Sequence, residues 1–201
     1  MIVIGVTGSF GSGKSEISRL LKSRGVKVFD ADAAARRALR KNSPTFRAVV
    51  QIFGREFIAA NGQMDRKKLA ERVFSHPGEL KKLNTLIHPG VIFEAMQFIK
   101  KNRAKSRFVA LDVPLLYESH MERLADVMIV VSAGQKILLE RCQAKGVAPA
   151  LVKKILASQW PIRTKERYAD YVIKNDGTLA QLKKKVAVVF KRIQETHRTV
   201  S

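Results

Sequence analysis

Eight consecutive residues, Gly8-Ser9-Phe10-Gly11-Ser12-Gly13-Lys14-Ser15, fill every defined position of the pattern G-x-x-x-x-G-K-S. Glycines at these positions let the backbone curl until successive N–H groups, and the N-terminus of a following helix, converge on one polyphosphate. A lysine at position 14 reaches the β- and γ-phosphates, and a hydroxyl at position 15 can ligate Mg²⁺. Gly8, Gly11, Ser12, Gly13, Lys14 and Ser15, with the adjoining Glu16, form the predicted ATP-contacting set. The flanks agree: the apolar run Ile2-Val3-Ile4-Gly5-Val6 reads as a strand, and Ile17, Leu20 and Leu21 recur at helical spacing. Strand, glycine loop and helix are the context in which this pattern binds a nucleoside triphosphate.

Three further groups of residues carry chemistry. Val26-Lys27-Val28-Phe29 reads as a second strand, followed by Asp30, Asp32 and Arg36. Ligands of open parallel sheets bind beyond the C-terminal strand ends, so carboxylates there, expected beside the P-loop strand, should meet substrate. If the strand continues, Asp30 and Asp32 point to one side; if a helix starts at Asp32, that residue serves as its N-cap. Phe108 to Leu111 form an apolar run ending in Asp112, the form of a strand whose carboxylate holds Mg²⁺ or a metal-bound water. His88-Pro89 reads either as a helix start, with Pro at the first helical position, or as a substrate contact. Arg141 and Lys145, four apart on one helical face, precede Lys153, Lys154, Arg163 and Lys165. Cations that close over a transferring phosphoryl group lower its barrier; Arg141 is the expected participant and the others read as surface charge.

The elements that must position these groups alternate. Strand patterns at 2–6, 26–29, 108–111, 127–131 and 171–173 are separated by helical patterns, which predicts an α/β fold with a parallel sheet covered by helices. The stretch 31–101 reads as helices punctuated by Pro44, Gly54, Asn61-Gly62, Pro77-Gly78 and Pro89-Gly90. A single domain is expected over 1–201, with a core of about 1–30 and 106–201, a helical substrate-binding part of about 31–105 and a lid of about 141–165. No apolar run reaches the ~18 residues of a membrane span, and a strand at the N-terminus leaves no room for a signal peptide. One cysteine, Cys142, read as a buried helical thiol, predicts a cytoplasmic location; a monomer is also expected. The 38 Lys and Arg against 17 acidic residues give a net charge of +21. The cations are spread along the chain, the three Tyr and one Trp are scattered, and no zinc-finger spacing occurs, so no specific nucleic-acid partner is predicted.

Taken in order, these residues resemble the dephospho-CoA kinase family. The resemblance runs from Ile4 to about Val186 through Gly5-Val6-Thr7-Gly8, Asp30-Ala31-Asp32-x-x-x-Arg36, Phe53-Gly54 and Asn61-Gly62-x-x-Asp65-Arg66-x-x-Leu69. It continues through Val73-Phe74, His88-Pro89, Asp112-Val113-Pro114-Leu115-Leu116-Tyr117-Glu118, and Gln159 with Lys165, to Ala169-Asp170-x-Val172-Ile173-x-Asn175-x-Gly177. It implies a P-loop kinase core with a helical CoA-binding part and a lid, and transfer of the ATP γ-phosphate to the ribose 3′-hydroxyl of dephospho-CoA with Mg²⁺. Asp32 matches the base, Lys14 and Arg141 the phosphate-handling cations, and Arg36, His88 and Leu115 join Asp32 on the substrate side. Ser15 and Asp112 are the implied metal contacts. Departures are Ser9-Phe10 for the usual Gly-Ile, Glu16 for the usual Thr, Leu138 for a common Gln, and Lys145 for a second lid Arg. A helical Glu16 should point along its helix away from the nucleotide, and Lys145 lacks the planar fork of arginine. A nucleoside or nucleotide kinase is the competing enzyme class. A GTP switch is disfavoured because no Asn-Lys-x-Asp motif occurs.

Overall fold

The computed structural model describes residues 1–198. Among these, the strands Ile2–Gly8 (β1), Lys27–Asp30 (β2), Phe108–Asp112 (β3), Val127–Ser132 (β4) and Tyr171–Lys174 (β5) form one parallel sheet in the order β2-β3-β1-β4-β5. β3 and β4 are buried along their whole length, and β1 from Val3 onward, as apolar strands covered on both faces require. Parallel strands all end at one edge, so Gly8, Asp30 and Asp112 arrive together. The register sets Asp112 opposite both Val6 and Asp30.

The expectation that β2 lies beside the P-loop strand is corrected: β3 stands between β2 and β1. Chain order leaves the partner of a parallel strand open, because the crossover from β2 to β3 is long enough to choose either neighbour. Here it contains Ala31–Ala38 (α2), Pro44–Phe53 (α3), Arg66–Ser75 (α4) and Pro77–Asn102 (α5), which pack on one sheet face with Leu111, Val113 and Leu116. Lys14–Lys22 (α1) and Leu179–Thr196 (α9) cover the other face against Ile4, Val6, Ile129 and Val131. A capping box at Thr178 and Gln181 starts α9.

A second correction concerns His88-Pro89, which opens no helix. Both lie inside the 26-residue α5. Leu83, Ile87, Val91 and Ala95 recur every four residues as one buried stripe through the proline. Pro89 and Gly90 are exposed, so the Thr85 carbonyl that loses its N–H partner lies on the solvated side. Burial of the stripe outweighs a local breaker.

The segment between β4 and β5 holds Gln135–Ala144 (α6), Pro149–Ala157 (α7) and Ile162–Arg167 (α8). α6 ends in a Schellman turn, with Gly146 at φ 75°, Gly146 N–H donating to Gln143 O and Val147 N–H to Cys142 O. No helix among the described residues is long and apolar enough to cross a membrane.

Leu111 is fully buried between the registers of Gly5 and Phe29. Leu111→Ala is expected to lower unfolding free energy by about 2–5 kcal/mol, read as a reduced urea midpoint at unchanged slope. A loss below about 1 kcal/mol, less than that range allows, would contradict the tight packing of this strand.

Candidate active site

Gly11 and Gly13 adopt φ of +81° and +91°, left-handed values that a side chain would strain. Space is short as well: a Cβ on Gly11 would stand 2.7 Å from the Cys142 sulfur, and one on Gly13 would collide with the Asn175 amide. The curl turns the Ser12 carbonyl outward, where it accepts from Asn175 Nδ2 at 2.8 Å and Arg141 Nη1 at 3.4 Å. Gly13 offers no side-chain cap to α1, so the Lys14 and Ser15 amides of the first turn remain available to an anion. The Ser12 hydroxyl is buried without a partner, and Ser15 sits exposed at the loop's mouth. Lys14 and Asp112, both nearly buried, form an ion pair between the loop and the end of β3.

Glu16 departs from the rest of the predicted set. Its carboxylate receives Arg19, with contacts of 2.5 and 3.0 Å, on the exposed face of α1, and this hydrogen bonding holds its acid below the usual range. Its backbone N–H is taken by Gly13 O at 3.0 Å.

The two strand-end aspartates divide differently from either sequence alternative. The strand stops at Asp30 and the helix starts at Ala31, so Asp30 is the N-cap, accepting from Ala33 N–H at 2.9 Å. Asp32 neither extends the strand nor caps the helix. It sits in the first turn of α2 with its surface exposed to solvent, yet partial desolvation by the protein around it raises its carboxyl pKa, opposed in part by the Lys14 ammonium and reinforced by the Asp30 and Asp112 charges. It lines a cavity of about 320 Å³ together with Phe10 of the glycine loop, His88, Leu115 and Gln159. Burial lowers the pKa of His88, which favours the neutral ring. Arg36 stands outside this cavity, in a neighbouring one of about 360 Å³ that also includes Asp32, Arg66 and Asn84.

Among the cations assigned to the 141–165 stretch, Arg141 alone hydrogen-bonds the glycine loop. Lys145 is the C-cap of α6, exposed, and makes no hydrogen bond to the glycine loop among the described residues. Lys153 and Arg163 are exposed, and Lys154 bonds Ser75 at 2.9 Å. Lys165 corrects the surface-charge reading, being only 1% exposed. Its ammonium meets Glu118 at 2.8 Å and the Pro114 carbonyl at 3.2 Å, and burial lowers its pKa while Glu118 opposes the shift. Glu118 also accepts from Trp160 N–H at 2.8 Å.

Two of the three Tyr gather around the Trp in space, while Tyr171 lies apart in β5. Tyr117 stacks on Trp160 at 5.8 Å with planes 6° apart, Tyr168 contacts both, and the Tyr117 hydroxyl donates to Tyr168 O. Burial, with Asp170 and Glu122 nearby, pushes the Tyr117 phenol up to about 12. Asn175, which sequence chemistry passed over, follows β5 and locks the glycine loop. Its position at the end of an apolar strand was the available signal. Gln159, like Asn175, stood in the family resemblance without an assigned role.

Among the described residues no three His, Cys, Asp or Glu side chains gather as a metal centre. Mg²⁺ in phosphoryl transfer needs only one or two protein oxygens beside the phosphates, and the exposed Ser15 hydroxyl and the Asp112 carboxylate supply that donor type.

The sequence pattern of the dephospho-CoA kinase family matches residues 2–181. The chain is 36% identical over 185 residues to the Enterococcus faecalis dephospho-CoA kinase, covering 92% of this chain and 93% of that one. It is 39% identical over 183 residues to a Staphylococcus aureus dephospho-CoA kinase, covering 90% and 88%. In structure it superposes on a Thermus thermophilus protein with a TM-score of 0.76 at 32% identity, covering 96% and 97%. The Campylobacter jejuni dephospho-CoA kinase follows at 0.67 and 28%, covering 96% and 98%. An Acinetobacter baumannii shikimate kinase, at 0.59 and 14% with coverage of 98% and 95%, shares the fold. With this glycine loop, this sheet order and these relatives over nearly its whole length, the chain belongs to the dephospho-CoA kinase family.

Proposed function

We propose that the chain transfers the γ-phosphate of ATP to the ribose 3′-hydroxyl of dephospho-CoA, yielding CoA and ADP, the last step of coenzyme A synthesis. The observation that carries the reading is Asp32: a carboxylate open to a cavity that it shares with the glycine loop. An acceptor hydroxyl bound there lies between a base and the end of the triphosphate. The α2–α5 part forms the acceptor site and the α6–α8 segment acts as a lid over one domain. His88 and Leu115 wall the first cavity. Arg36 in the second is suited to the acceptor's pyrophosphate, since guanidinium pairs with phosphate oxygens through a planar fork.

The α1 amides, the Lys14 ammonium and the Arg141 guanidinium surround the site of charge development, and such preorganised donors stabilise a phosphoryl transition state. Lys14 is paired with Asp112 in the structure, and a triphosphate competes for that ammonium. Ser15 and Asp112 are the residues that would hold Mg²⁺, and the ion would supply charge neutralisation for phosphoryl transfer. Asp32 takes the proton of the hydroxyl as its oxygen bonds phosphorus and the bond to ADP breaks. The reading is tested by ADP release with dephospho-CoA against AMP, adenosine, pantothenate and shikimate. Equal or faster turnover of another acceptor would redirect the assignment to a different small-molecule kinase.

Three predictions follow the geometry. Since Asp30 supplies the cap, Asp32→Asn should keep the thermal midpoint and ATP affinity while lowering kcat by about 10²–10⁴. Full activity in this variant would remove Asp32 as base. Because the base works ionised and its surroundings raise its pKa, kcat/KM should fall toward acid at a pH above that of an ordinary aspartate, ~3.9, and Asp32→Asn should lack this limb. A wild-type profile flat down to pH ~4 would contradict a base of raised pKa. Arg141→Ala should lose far more kcat than Lys145→Ala, a contrast expected of a contact made in the transition state; equal losses would count against the lid assignment.

A further inference from the structure

Gln159, in the connection between α7 and α8, has no part in the mechanism above. Its Oε1 accepts from Phe10 N–H of the glycine loop at 3.0 Å. That contact orients the whole carboxamide, because a backbone N–H is satisfied by the amide oxygen and never by the NH₂ group. The two Nε2 hydrogens are thereby given a direction, and among the described residues they meet no protein acceptor. Gln159 lines the same cavity as Asp32 and His88, at the boundary between glycine loop and acceptor site.

The backbone on either side is clamped. Gln159 N–H donates to Leu156 O at 3.2 Å, and Trp160 N–H to Glu118 at 2.8 Å. Glu118 is held by the buried Lys165, whose ammonium shares the Pro114 carbonyl with the Thr7 hydroxyl. A donor fixed this way loses little conformational freedom on meeting a ligand. In a kinase cavity the strongest acceptors at this boundary are the oxygens of the phosphoryl group in flight, where charge-assisted hydrogen bonds form.

We propose that Gln159 is a further substrate-contacting residue, donating from Nε2 to a phosphoryl oxygen during transfer, with the Phe10 contact and the Glu118–Lys165 pair holding its carboxamide in place. The proposal rests on the kinase reading above. Gln159 forms no covalent bond and takes no proton; it stabilises charge that develops as phosphorus changes oxygen partners.

Two substitutions separate this role from that of a latch. Gln159→Glu keeps the length and an oxygen for Phe10 N–H but replaces the donors with negative charge. Gln159→Leu removes both functions. Expected are kcat losses of roughly 10²-fold in both variants, with Gln159→Glu at least as impaired, while ATP affinity and thermal midpoint stay near wild type. Near-normal kcat in Gln159→Glu would overturn the proposal and leave Oε1 as a mere tie to the loop. A loss confined to KM would overturn it as well, since a contact made in transfer acts on kcat. If Gln159→Leu does not fold, the isosteric Gln159→Glu decides alone. Failure of the acceptor assignment would show separately, as a wild-type protein inactive on dephospho-CoA; the variants are then compared on the acceptor that wild type turns over.

Discussion

A phosphate-binding loop must aim several N–H groups at one point, and that geometry leaves its carbonyls pointing outward and in need of partners. Here the demand falls on Ser12. Its carbonyl is met from two directions, by Asn175 after β5 and by Arg141 on α6. Both partners lie more than 120 residues away in the chain. The curl depends on left-handed backbone at Gly11 and Gly13 and on packing too close for any side chain there. The far half of the sheet and the segment after β4 are thus built around the loop's shape. A change at Asn175 or Cys142 disturbs the phosphate site without touching phosphate.

Charge is arranged around this loop in a low-dielectric setting. Lys14 and Asp112 pair at the sheet edge, and Asp32 lies near enough to feel both. Because β3 stands between β1 and β2, Asp112 sits between the loop and the acceptor side. The same order brings Asp30 level with Asp112, and Asp30 is spent on the helix cap. One aspartate thus secures the turn, one faces the lysine, and one is left open to the cavity. Raising the pKa of an acid increases its basicity, so Asp32 gains proton affinity from the protein and the charges around it.

Glu118 organises the opposite wall. It joins the segment after β3 to Trp160 and Lys165, and the aromatic stack of Tyr117, Trp160 and Tyr168 lies over the same junction. A buried ion pair is weak evidence of stabilisation, since desolvation offsets its Coulomb energy. Its clearer consequence is geometric: residues 159 and 160 are fixed relative to the glycine loop and to the cavity floor.

The glycine loop, the alternating strands and helices, and the family resemblance were all legible in local residue order, because those signals are set by backbone conformation and short-range periodicity. The same local logic misjudged Pro89, where a buried stripe four residues apart overrode a helix breaker, and Asp32, where the cap fell two residues earlier. It placed β2 beside β1 because sequence records strand order and carries no partner for a strand after a 77-residue crossover, Ala31 to Arg107. Lys165 read as surface charge because composition cannot tell a solvated lysine from one whose carboxylate partner comes from 47 positions upstream. The identity of the phosphate site was written in eight adjacent residues. Which groups surround it, and with what charge and burial, depended on contacts between segments far apart in the chain, and those exist only once the sheet has chosen its order.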